Sequence, residues 1–117
     1  AVGSEYMTVV AYSGVNQTAN PLTFNNPTRL SAPSPITISL TTDAVANSWV
    51  VVFSNANSNG SRNMTNGVIR TNIVDSGIMI GDSGTTVATS SAYSTEISWS
   101  GGPQFFDAQM IEISPAL

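Results

Sequence analysis

The sequence predicts an all-β protein, an antiparallel β-sandwich of jelly-roll or Greek-key type, and three observations carry that prediction. Between Asn47 and Asn55, Trp49, Val51 and Phe53 fall on one side of an extended strand and Val50 and Val52 on the other. Both sides are apolar, as suits a strand covered on both faces near the centre of a sandwich. Near the other end of the chain, Tyr93, Thr95, Ile97 and Trp99 alternate with Ser94, Glu96 and Ser98, giving one core face and one wet face. Finally, no segment sustains a 3.6-residue apolar period over three turns, so helix is not competitive anywhere.

The remaining elements follow in chain order. Glu5 to Ser13 reads as a strand with Tyr6, Thr8, Val10 and Tyr12 on one side and Met7, Val9 and Ala11 on the other, closed by a turn over Ser13-Gly14-Val15-Asn16. From Gln17 to Pro35 the chain carries Pro21, Pro27, Pro33 and Pro35, which forbid a helix and disfavour an interior strand. This is a long connection with a short edge strand at Thr28 to Leu30. Ile36, Ile38 and Leu40 alternate with Thr37, Ser39 and Thr41 in a half-buried strand, and Thr42-Asp43-Ala44 links it to the central one. Asn55 to Gly67 is nearly devoid of large apolar residues and rich in turn formers, a surface loop. Strands then follow at Gly67 to Val74 and Ile78 to Ile80, separated by Asp75-Ser76-Gly77, with a short one at Thr85 to Thr89. Phe105 to Ser114 closes the fold, its Gln109, Ile111 and Ile113 opposing Ala108, Met110 and Glu112. Glu96 and Glu112 both read as lying on solvated sheet faces.

The 117 residues suffice for one domain, residues 1–117, and not for two. Hydrophobic content of 41% argues against disorder, but only 9% of residues are charged, against roughly 25% in ordinary soluble domains. Ser, Thr and Asn carry the polarity instead, a surface chemistry associated with extracellular and virion β proteins. A net charge of −4, with arginine only at Arg29, Arg62 and Arg70, leaves no footprint for a phosphate backbone, so nucleic acid is not an expected partner. The absence of cysteine removes disulfides and thiolate metal sites, and no apolar run reaches the roughly 20 residues that span a bilayer. The start of the chain lacks the basic residues of a signal peptide, so an exported form would have lost its signal or been cut from a longer precursor.

Gly81-Asp82-Ser83-Gly84 spells the tetrapeptide around the nucleophile of chymotrypsin-like proteases, yet that chemistry needs a base within reach of the hydroxyl. The chain has no histidine and no lysine, and the tetrapeptide reads as a turn; no catalytic residue is expected. Asp43, Asp75 and Asp82 sit in turns, where Asp bonds locally; a glycosidase pair among the carboxylates or a calcium site at Asp75 and Asp82 are the lesser readings, and no cofactor is expected. Sequons begin at Asn16, Asn59 and Asn63, and matter only if the source glycosylates exported proteins. Within the long polar loop, Asn57, Asn59, Arg62 and Asn63 form a candidate contact surface. Tyr12, Tyr93 and Trp99 are the candidate sugar platform, should the domain bind carbohydrate.

Ala11-Tyr12-Ser13-Gly14-Val15-Asn16-Gln17-Thr18, with Pro21-Leu22 after it, resembles a strand-and-turn motif of concanavalin-like jelly-roll modules in bacterial secreted proteins and phage virion proteins. In those modules a valine-rich strand follows, then a Gly-Asp turn, then a strand like Tyr93 to Ser100, and finally a hydrophobic strand with a proline, as in Ile111-Glu112-Ile113-Ser114-Pro115 here. The resemblance implies a jelly-roll and brings no catalytic residue. Such modules carry further strands before the Tyr-Ser-Gly motif, so the chain reads either as a compact version or as the C-terminal half of a larger jelly-roll.

The function expected from all this is non-enzymatic: a structural or adhesive subunit of an extracellular or virion assembly, such as a fibre, decoration or surface filament. The alternative is a carbohydrate-binding module, with a glycan or cell-surface receptor as partner. Without lysine to guard strand edges, self-association is expected through edge pairing, at Glu5 to Ser13 or at Phe105 to Ser114. Membrane insertion is not expected.

Overall fold

The computed structural model describes residues 7–14, 24–25, 30–42, 47–56, 61–74, 77–88, 90–100 and 104–116. Its strands are β1 (Phe24–Asn25), β2 (Leu30–Ala32), β3 (Ile36–Thr41), β4 (Trp49–Ala56), β5 (Arg62–Met64), β6 (Val68–Ile73), β7 (Ile78–Asp82), β8 (Ala92–Trp99) and β9 (Gln104–Ile113). They form two antiparallel sheets. The larger has the order β1-β9-β4-β7-β6, with β2 beside β1 along the same edge of β9, and the smaller has the order β3-β8-β5. Among the described residues no helix is long and apolar enough to cross a membrane.

The sheets face one another across a core of Ile38 and Leu40 from β3, Tyr93, Ile97 and Trp99 from β8, Val50 and Val52 from β4, Met79 from β7, and Phe106, Ala108 and Met110 from β9. Period-2 alternation produces this directly: each strand sends every second side chain inward, and the registers Val52↔Met110 and Ile38↔Thr95 place inward residues opposite one another. Trp99 stacks on Phe106 with ring centroids 5.3 Å apart, joining the two sheets through an aromatic pair. Arg62 lies over the Trp99 ring as well, its guanidinium carbon 5.7 Å from the centroid.

The central position of β4, between β9 and β7, is as the sequence predicts, but its two faces are unequal. Val50, Val52 and Ser54 are fully buried, whereas Trp49, Val51 and Phe53 are only half-buried, because among the described residues no second sheet covers the outer face. What crosses it is the N-terminal segment. Residues 7–14 keep the expected alternation, with Thr8, Val10 and Tyr12 half-buried and Met7, Val9 and Ala11 exposed, yet they join no strand ladder. Thr8, Val10 and Tyr12 lie beside Val51, Phe53, Ile80 and Ile111 of the outer face. The expected first strand is thus an extended cover laid across a sheet instead of a member of one; its residues Glu5 and Tyr6 lie outside the described residues.

Three further expectations change. Arg62–Met64, placed in a loop by its polar composition, pairs with β8 through the register Arg62↔Trp99 to Met64↔Ile97. Of Thr85 to Thr89, Val87 alone among the described residues makes a bridge, to Ser48, and Thr89 lies outside them. The early edge strand lies at Leu30–Ala32, two residues later than Thr28 to Leu30, with the two residues at 28–29 outside the described residues.

Β-sheet crossings are stitched by side chains where ladders stop. Between β5 and β6 the chain passes from the smaller to the larger sheet, and Thr65, Asn66 and Gly67 bridge the gap. The Thr65 N–H donates to the Glu96 carbonyl at 3.0 Å, the Thr95 hydroxyl donates to the Thr65 carbonyl, and the buried Tyr93 hydroxyl donates to the Asn66 carbonyl at 2.6 Å. Burial pushes the Tyr93 phenol up to about 12, so it stays a donor throughout the neutral range. At Gly67 a Cβ would lie 2.5 Å from the Asp82 carbonyl and 2.7 Å from the Tyr93 hydroxyl, so only glycine lets the crossing pass this close.

Candidate functional site

The outer face of the larger sheet carries a polar cluster centred on Asp82 at the end of β7. Residues Ile78 and Ile80 point outward with it, whereas Met79 and Gly81 point into the core, so parity alone puts the carboxylate on the outer face. Asp82 is nonetheless fully buried. Arg70 on β6 donates from Nε to Oδ2 at 2.6 Å and from Nη2 to Oδ1 at 3.0 Å, a bidentate pair. The Tyr12 hydroxyl of the N-terminal segment donates to Oδ2 at 3.0 Å, and the Gly84 N–H donates to Oδ1 at 2.9 Å. A carboxylate has about four lone-pair sites, and all are taken.

Electrostatics follow from that geometry. Burial by itself would raise the Asp82 carboxyl, but the bonds from Arg70, Gly84 and Tyr12 outweigh it and hold the group below its ordinary value of 3.8. The same contact raises Arg70. Tyr12 is pushed up to about 12, by burial first and then by the hydrogen bond to an anion. The result is a charged pair, neutral as a unit, that pins residue 12 to a strand 70 positions away in sequence.

The protease-like tetrapeptide is part of the same turn. The Ser83 hydroxyl donates to the Thr85 carbonyl at 2.6 Å and accepts from the Val50 N–H at 3.3 Å, while the Ser83 N–H donates to the Val50 carbonyl at 2.9 Å. Gly84 has φ +71°, a left-handed conformation that costs glycine little, and this directs its N–H onto Asp82. Ser83→Ala should lower stability by about 1 kcal/mol through loss of these bonds. The same residue should resist active-site serine reagents; stoichiometric labelling at Ser83, read by mass spectrometry, would contradict that.

Beside this node the N-terminal segment and the sheet enclose a half-open cavity of about 530 Å³. Tyr12 and Trp49 supply aromatic wall, Ile113 and Pro115 aliphatic wall, and Asn47, Ser13, Thr86 and Arg70 polar groups. Asn47 has φ +63°, in the left-handed region where Asn is favoured among non-glycine residues. The Ala116 N–H donates to the Gly14 carbonyl at 2.6 Å, so the C-terminal segment closes one end.

The residues singled out by sequence are scattered. Of the proposed platform, only Tyr12 reaches the outer face; Tyr93 and Trp99 are 5% and 6% exposed and point between the sheets, so they offer no surface to a sugar ring. Of the proposed contact loop, Asn63 is exposed on β5, but Arg62 is 1% exposed, over Trp99, where burial lowers its guanidinium from the ordinary value; Asn57 and Asn59 lie outside the described residues. Glu96 is on a wet face as expected, whereas Glu112 is fully buried opposite Val50, since its face of β9 is the inner one. Asp43 and Asp75 lie outside the described residues, and the lone pairs of Asp82 that a calcium ion would use are occupied by N–H and O–H donors. Among the described residues no three acidic side chains gather to hold a metal ion. Sequence reasoning missed the Arg70–Asp82 pair and the meeting of Trp49 with Tyr12; the only signal was that Tyr12 and Trp49 each sit at the end of an apolar alternation beside a turn.

Compared with protein-family models, with curated proteins and with solved structures, the chain matches none of them.

Proposed function

We propose that the chain is a non-enzymatic structural or adhesive subunit of an extracellular or virion assembly, built on a jelly-roll-type sandwich and self-associating through its N-terminal segment. The observation that carries this reading is the state of residues 7–13. Met7 is 88% and Val9 76% exposed, on a segment that runs extended across an apolar sheet face without a strand partner among the described residues. A second copy that paired with this segment would satisfy its backbone groups and cover both side chains together, which is the mode of β-augmentation. The other expected contact, Phe105 to Ser114, is the less favoured: among the described residues β9 is paired with β4 along one side and with β1 at Met110–Ile111 and β2 at residues 104–106 on the other.

The jelly-roll assignment rests on how often the chain changes sheet. It crosses between sheets at β2→β3, β3→β4, β4→β5, β5→β6, β7→β8 and β8→β9, with β6→β7 a hairpin within one sheet. Greek-key connections do this, because sequential strands are pushed into opposite layers. The charge-poor, Ser/Thr/Asn-rich composition supports the extracellular or virion setting, and the absence of histidine and lysine supports the non-enzymatic one.

Sedimentation velocity at micromolar concentration tests the proposal. The wild-type chain should sediment as an oligomer and the Met7→Asp, Val9→Asp double variant as a monomer whose unfolding midpoint matches that of the wild type diluted until it dissociates, because both side chains are exposed in the single subunit. A wild-type chain that is monomeric throughout would overturn it.

A further inference from the structure

Beyond assembly, we propose that the cavity between the N-terminal segment and the sheet end binds one ring of a neutral oligosaccharide. Its volume of about 530 Å³ lies in the range of small-ligand sites, roughly 300–1,000 Å³. Its chemistry selects the ligand class. None of the described residues that line it is acidic, and the one cation, Arg70, is already held bidentate by the buried Asp82 carboxylate. A charged ligand therefore meets no free countercharge and would have to give up its hydration for nothing.

What the cavity does offer is an aromatic wall with neutral hydrogen-bonding groups around it. Trp49 and Tyr12 stand on two different elements, and Asn47, Ser13 and Thr86 bring an amide and two hydroxyls. A pyranose has the complementary make-up: apolar C–H faces that stack on aromatic rings, and a perimeter of hydroxyls that donate and accept. A purely apolar ligand would leave those perimeter groups without bonds, which disfavours it. The wall is also fixed in advance. Tyr12 is anchored by its bond to Asp82, and Gly14 by the Ala116 N–H, so little ordering is required on binding.

The experiment uses the whole chain with maltotetraose, cellotetraose and tetra-N-acetylchitotetraose as neutral probes and an oligogalacturonate as the acidic one, read by calorimetry and tryptophan fluorescence. At least one neutral probe should bind saturably and change the emission of Trp49, since Trp99 is buried in the core. Trp49→Ala should weaken that binding by about tenfold or more. Asn47→Gly provides a variant that folds regardless, because glycine accepts the left-handed backbone at this position while removing the amide; it too should weaken binding. Binding by none of the neutral probes, preference for the acidic one, or undiminished affinity in both variants would overturn the proposal. The result is independent of oligomeric state, which sedimentation reads separately.

Discussion

Trp99→Ala should be the most damaging single substitution in this chain, lowering stability by about 3–5 kcal/mol. Trp99 is 6% exposed, stacks on Phe106 across the two sheets and has the Arg62 guanidinium over its ring. Truncation opens a cavity between the sheets, ends the aromatic contact and leaves the buried guanidinium over empty space. A domain's whole stability is about 5–15 kcal/mol, so the variant should sit near the edge of folding. Trp49→Ala makes the comparison sharp, because that ring is half-buried on the outer face and should cost about half as much. Urea midpoints of both variants decide the matter. If Trp49→Ala proved the more destabilising, the outer face would be the better-packed one and the sandwich core would be misplaced.

Asp82→Asn should cost on the order of 2–3 kcal/mol at neutral pH, because a fully buried carboxylate with four donors around it becomes an amide that must turn its own N–H groups toward some of them. The figure stays at the lower end of what breaking a buried pair can cost, since Arg70 is 39% exposed and the guanidinium left behind can turn to water. The pH dependence has a definite sign. Asp82 titrates below its ordinary value in the folded chain and near 3.8 in the unfolded one, so on acidification the unfolded state takes up the proton first. The stabilisation is therefore complete above about pH 5 and is lost as pH falls through the folded-state value. Midpoints measured at pH 7, 5 and 3 should fall at the acid end in the wild type and fall less in Asp82→Asn. Equal acid slopes would show that Asp82 is not held by Arg70 and Tyr12 in solution.

Alternation made much of this fold legible. Ile36–Thr41 is a strand at the residues predicted, the parity of Tyr93 to Trp99 is as read, and β4 occupies the centre of its sheet. These features are local: a two-residue period in one segment defines which side chains share a face, and turn formers on either side define where the segment stops. Even in the N-terminal segment the two sides, Thr8-Val10-Tyr12 against Met7-Val9-Ala11, were correct.

Parity does not say what lies over a face, and that was decided by tertiary structure alone. Glu112 shares a face with Ala108 and Met110, and which face of β9 turns inward depends on how β3 and β8 pack over it. Arg62 reads as a loop cation until β5 pairs with β8 and sets it on Trp99. Asp82 reads as a turn residue, and does cap its own turn at Gly84, but its burial comes from Arg70 on a neighbouring strand and Tyr12 on a segment distant in sequence. The physical reason is common to all three. A charged side chain is buried only when its partners converge on it, and convergence is a property of strand order, register and covering segments, none of which is written in the period of any one strand.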